Sequence, residues 1–429
     1  MLSVTGLVMS YFFVRADRVF SFLCHEDSAR LALASAELSL ALCSCLGCPA
    51  TATGPATVGL RRLREKAVST AASGRAICGG GQHSLVVDRC FVAVLGSERE
   101  VGCESADGAT LGFPCGVTLV AGGSRHCAAV TEHQDLFMWG YGGDGQLGQE
   151  VAVQLQPILL RRSIASVACG FNFTLATTVD GALLSTGDNH FGVLGVGSTG
   201  CSRAEFGQVA SASGLIFVTV AAGYFHCAAI THRGCLYTWG CNKHGKLGFP
   251  TDVVTYVPTV LKLGCRVSAV ALGSTSSAAL TADGDLFTWG DISKGRRGRR
   301  ADDSFPKRVF VGEGISKIAS GMGHTLIMTV SGCVFGFGEN RFGQCGIGTF
   351  RDDVWSPSRV AALDALAVFE LCCGWNHSLF LTNLGVYGCG CAKNGRLGTL
   401  QDAHWPTPVR LGLPEPDLVL SPVPASLVA

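Results

Sequence analysis

Seven near-copies of one pattern, with first glycines 43 to 53 residues apart, run through this chain and restrict its fold more than any other feature. The clearest copy is residues 216–248, IFVTVAAGYFHCAAITHRGCLYTWGCNKHGKLG. It holds an apolar run, Gly223 and His226, a second apolar run, a turn at Gly234, then Trp239-Gly240 and a Gly245-x-x-Gly248 loop. The first glycine recurs as Gly80, Gly123, Gly170, Gly223, Gly273, Gly321 and Gly374. The second landmark keeps step at Gly96, Trp139-Gly140, Thr186-Gly187, Trp239-Gly240, Trp289-Gly290, Phe337-Gly338 and Cys389-Gly390. The third follows at Gly145–Gly148, Gly192–Gly195, Gly245–Gly248, Gly295–Gly298, Gly343–Gly346 and Gly395–Gly398.

Each copy reads as four short strands. In the third, residues 164–170 alternate apolar and small side chains, 174–179 form a second strand, Asp180-Gly181 a hairpin turn, and 182–187 a third strand. The outer strand lies near a proline, as at Pro258 and Pro357, where an edge leaves N–H positions that no ladder needs. One sheet per repeat, stacked radially to hide its edges, predicts an all-β chain: a seven-bladed β-propeller of four-stranded blades. Residues 55–411 are assigned to the propeller, 1–54 to a non-repeat N-terminal extension, helical or disordered, and 412–429 to a Pro-rich tail.

Apolar residues make up 48% of the chain and charged ones 15%, enough for a substantial core. A formal net charge of +1 exerts no global pull on nucleic acid or an anionic membrane. The 21 cysteines include many within strand patterns, which suits free thiols in a reducing compartment, cytoplasm or nucleus. The uncharged stretches 1–14 and 38–60 lack a basic leader or carry too much Thr, Gly and Pro, so membrane association is not expected. Cys45 and Cys48 have a C-x-x-C spacing with no second ligand pair after them, so no metal or cofactor is expected.

Gly-x-x-His, an apolar run, a turn, Trp-Gly and Gly-x-Leu-Gly, as in 123–148 and 223–248, resemble the repeat of the regulator of chromosome condensation family, over residues 77–411. The resemblance implies a propeller closed by strands from both chain ends sharing one blade. It also implies protein partners, a small GTPase among them, and in the founding members chromatin binding on one face with nucleotide exchange on a Ran-type GTPase. Departures are Val94-Leu95-Gly96 for Trp-Gly in repeat 1, Phe173 and Ser276 for the histidine, and Arg297 for the loop leucine.

No Ser-His-Asp set, HExxH or P-loop is present, so bond-making catalysis is not expected. A regulatory or scaffolding interaction module, monomeric, is the expected function, and a Ran-type exchange factor attached to chromatin the alternative. His83, His126, His226, His324 and His377 repeat at one position, which argues for a structural turn, and Trp139, Trp239 and Trp289 for filling between sheets. A partner site is expected at Arg296, Arg297, Arg299 and Arg300, extended by Lys307 and Arg308. A buried, unpaired Arg297 would be costly, so its loop is expected to swing outward or pair with Asp302 and Asp303.

Overall fold

Blade 4 shows how a repeat becomes a sheet. Its strands are Phe217–Ala222, His226–Thr231, Leu236–Gly240 and Thr255–Leu261, antiparallel and paired in chain order. The second strand, HCAAIT, is buried at every position, because neighbouring blades cover both of its faces. Its small residues let those neighbours approach. The opposing pairs His226↔Gly240 and Cys227↔Trp239 set the register, and Gly234, at φ +79°, makes the hairpin turn between them.

The computed structural model describes residues 76–96, 109–200, 202–250, 253–300, 305–350, 353–399 and 403–413. Seven such sheets stand in a ring, at 77–112, 117–161, 164–208, 217–261, 267–309, 315–359 and 368–410. The predicted seven-bladed, four-stranded propeller is therefore the fold. The first strand of each blade is innermost, and successive first strands touch around a central channel. The apolar core lies between blades rather than within them. Phe173 and Leu175 of blade 3 pack with Phe217, Cys227 and Trp239 of blade 4, and Ile230 and Leu236 of blade 4 with Ala279 and Trp289 of blade 5.

Closure differs from what the family resemblance implied. Among the described residues no blade is shared: blade 1 is built from its own strands, beginning at Ile77–Gly79, and blade 7 from Val368–Cys373 to His404–Arg410. The reason is that His404–Arg410 pairs along its own third strand, Tyr387 with Arg410 and Cys391 with His404, and so fills the outer edge itself. Side-to-side contacts hold the seam instead. The Trp375 backbone N–H donates to the Gly80 carbonyl at 3.1 Å, and the Ser84 hydroxyl meets His377 Nε2 at 2.9 Å. The expected extension at 1–54, its Cys24, Cys43, Cys45 and Cys48, and residues 414–429 lie outside the described residues. Among the described residues no helix is long and apolar enough to cross a membrane.

Candidate interaction face

The Gly-x-x-His turns join first and second strands, and the Gly-x-Leu-Gly loops join third and fourth, so both open on the same end of the ring. A Cβ on Gly223 would fall 2.5 Å from the His226 ring, which folds back over it. Close approach, not an unusual φ, is what excludes any other residue there. Around the channel the amide after the turn glycine donates to the next blade. Gly81 donates to Gly123 at 2.9 Å, Ser124 to Gly170 at 3.3 Å, Tyr224 to Gly273 at 3.3 Å and Ser274 to Met322 at 3.0 Å.

Beneath this belt the histidines form a second one. His226 Nε2 lies 2.9 Å from Ser277 Oγ of the next blade, and that hydroxyl donates to the Lys246 carbonyl at 2.7 Å. Its one proton is thus used, so the ring must donate from Nε2 and carry a bare Nδ1. His126 meets Thr174 at 3.0 Å, His324 meets Ser378 at 2.9 Å, and His83 faces the Cys127 sulfur at 3.2 Å. All five rings are almost wholly buried, and none of the Nδ1 atoms has a partner among the described residues. Burial accordingly lowers every one of these pKa values, His83 and His324 to about 4 and His126 to about 3. Where Phe173 and Ser276 replace the histidine, this link is missing.

Five of the residues that follow a turn glycine line the channel mouth. The cavity there, about 130 Å³, is lined by the turn glycines with Phe171, Tyr224, Ser274, Met322 and Trp375. Phe171 of blade 3 stacks on Trp375 of blade 7 with centroids 6.1 Å apart and planes at 15°. Tyr224 sits 4.3 Å from Phe171 and 5.6 Å from Trp375, and Phe191 extends the cluster through Phe225. Phe171, Tyr224 and Trp375 are only half-buried, and Met322 and Phe191 are exposed. Sequence reasoning missed this cluster. The signal was present in the column after the turn glycine: Gly81, Ser124, Phe171, Tyr224, Ser274, Met322, Trp375.

The arginine-rich loop is placed differently from its expectation. Its glycines keep the positive φ of the other repeats, and Arg297 occupies the leucine's buried place at 1% exposure, so the loop does not swing outward. Asp302 and Asp303 lie outside the described residues. Arg296 bonds Thr275 at 2.7 Å and forms ion pairs with Asp291 of its own blade and Glu339 of the next, where Lys294 joins at 3.2 Å. Burial alone would raise these carboxyls. Ser293 and Arg296 at Asp291, and Arg296 and Lys294 at Glu339, hold both below the usual carboxylate range.

Arg299 donates to the Thr288 and Phe305 carbonyls, Arg300 lies over the Trp355 ring, Lys307 lies exposed on the outer strand and Arg308 pairs with Asp285. Arg296 and Arg308 are thus engaged by carboxylates and Arg299 by backbone carbonyls. Arg296→Glu should therefore cost about 3 kcal/mol of stability by leaving like charges at a half-buried site. Arg300→Glu should leave the denaturation midpoint unchanged. Equal midpoints for the two variants in urea titrations would refute the inter-blade bridge.

The model of the RCC1-like domain matches residues 154–423, and that of the regulator of chromosome condensation (RCC1) repeat matches 117–146. The chain is 32% identical to the ultraviolet-B receptor UVR8 of Arabidopsis thaliana, over 66% of this chain and 67% of the receptor. It is 34% identical to the X-linked retinitis pigmentosa GTPase regulator of Mus musculus, over 64% of this chain and 29% of that protein. It is 30% identical to the secretion-regulating guanine nucleotide exchange factor of Bos taurus, over 62% and 76%. The chain thus spans well under two thirds of the mouse relative's length. In fold it is similar to yeast RCC1 (Prp20), with a TM-score of 0.63 at 20% identity, covering 70% of this chain and 75% of that one.

Proposed function

From the premise that this chain belongs to the regulator of chromosome condensation (RCC1) family, we propose that it is a non-enzymatic interaction module whose channel mouth binds a protein partner, a small GTPase being the partner class. The observation that carries this reading is the cluster of Phe171, Tyr224, Met322 and Trp375, held on rigid turns and left partly open to solvent. Aromatic anchors in a partly desolvated centre are where binding energy concentrates at interfaces. The names of the mouse and bovine relatives support a GTPase. Free thiols throughout the described blades fit the cytoplasm or nucleus.

Exchange activity on a Ran-type GTPase, with chromatin attachment, is the second reading, favoured by the bovine relative's name; the near-neutral charge of the chain speaks against chromatin. Both readings meet one test. Nucleotide-free small GTPases serve as bait for the purified chain, and release of labelled GDP is followed with the chain substoichiometric. Capture that Trp375→Ala weakens roughly 30-fold or more, without faster GDP release, is the expected result. Accelerated release would favour the exchange factor. Capture unaffected by Trp375→Ala and Phe171→Ala would remove the mouth as the binding site.

A further inference from the structure

The residue two before each turn glycine lies on an innermost strand. Around the ring this column reads Cys78, Ala121, Ala168, Ala221, Ala271, Ala319, Cys372. Alanine serves in five blades, and cysteine stands only in blades 1 and 7, the two that meet at the seam, where no strand is shared among the described residues. The Cys372 sulfur accepts the Gly79 N–H at 2.9 Å, and the Cys78 sulfur accepts the Gly122 N–H at 3.1 Å. Gly79, whose N–H lies 2.9 Å from the Cys372 sulfur, directly follows Cys78, so the two cysteines are neighbours across the contact between the first strands of blades 7 and 1. Both are free and half-buried. The reactive form of a cysteine is the thiolate.

We propose that Cys78 and Cys372 form a modification site, at which hydrogen peroxide converts the pair to an intramolecular disulfide joining blade 7 to blade 1. The Cys78 thiolate attacks a peroxide oxygen; the O–O bond breaks, and the departing hydroxide takes a proton and leaves as water. Cys78 is then a sulfenic acid. Cys372 attacks its sulfur, the S–O bond breaks, and the hydroxyl leaves as a second water with the Cys372 proton. Two thiols lose two electrons and one peroxide gains them. The hydrogen bond with Cys78, and then burial, raise the Cys372 thiol, which suits it to the second, resolving step. A bond between residues 78 and 372 closes a loop spanning nearly the whole ring, the case in which a crosslink restricts the unfolded chain most.

The test uses the full chain, treated with equimolar hydrogen peroxide, alkylated, and mapped by mass spectrometry without reduction. The dominant crosslinked peptide should join Cys78 to Cys372. The thermal midpoint should rise by roughly 5–10 °C and fall back on reduction. Cys372→Ala should abolish both effects. Alanine already fills this position in five blades, and Cys78→Ala is the equivalent variant should Cys372→Ala fold poorly. Crosslinks joining other cysteines, a Cys78–Cys372 bond without a rise in midpoint, or a rise that survives Cys372→Ala would each overturn the proposal.

Discussion

Between pH 6.5 and pH 4 the protein should lose most of its stability and unfold. Five buried histidines are held neutral in the folded ring, with pKa values lowered to about 4 for His83 and His324, about 3 for His126, and well below the usual value for His226 and His377. In the unfolded chain they titrate near 6.5. Below that pH the unfolded state binds more protons than the folded one, so stability falls as pH falls, and the contribution is complete only above 6.5. The decline from these groups ends once the folded rings themselves protonate. For His83, His324 and His126 the shifts correspond to about 3–5 kcal/mol each and together to on the order of 10 kcal/mol, comparable with the whole stability of a typical domain, and His226 and His377 act in the same direction.

Urea unfolding from pH 7.5 to 4.5 reads this directly. His226→Ala should cost about 1–2 kcal/mol at pH 7.5 through its lost bond to Ser277, yet flatten the pH dependence by one proton. A partner-contacting histidine would show neither effect. Stability unchanged between pH 7 and pH 5 would mean that the rings are not neutral and buried.

Trp239→Ala should cost about 3–5 kcal/mol, among the largest effects of any single substitution. The side chain is fully buried between blades 3 and 4, and its indole N–H donates to the Val193 carbonyl at 2.8 Å. Trp289 repeats the arrangement one blade on, with the Lys246 carbonyl at 2.9 Å. Trp139 is equally buried, but its N–H has no partner among the described residues. Trp239→Phe should therefore be the costlier phenylalanine replacement, by about 1 kcal/mol over Trp139→Phe, because it alone removes a made hydrogen bond. Phe337 already fills this place in blade 6, so phenylalanine fits the wedge. A cost below 1 kcal/mol for Trp239→Ala in chemical denaturation would contradict the packing described.

Much of this was legible along the chain, and the reason is locality. A Gly at a hairpin, a six-residue run such as HCAAIT and a Trp facing it thirteen residues from His226 are set by neighbours in sequence, and repetition made each signal readable seven times. The strands at 164–169 and 173–178 fall within a residue of where alternation put them. What escaped were relations between blades. Arg296 looked like part of a basic run, yet it is spent on Glu339 of the next sheet, while Arg297 turns into the core. The Phe171–Trp375 stack joins residues about two hundred positions apart.

The sequence by itself therefore determined the repeat, the four-stranded sheet, the number of blades and the family, since each rests on short-range periodicity and turn chemistry. The tertiary structure alone decided which residues meet at the channel mouth, which cations are already paired, and how the ring closes. Those outcomes depend on bringing one blade's turn against another's, and the chain pattern states what each blade contains without stating what its neighbours present to it. Closure shows this most plainly: His404–Arg410 had the composition of an outer strand, but only its pairing with Gly385–Cys391 left the first blade to complete itself.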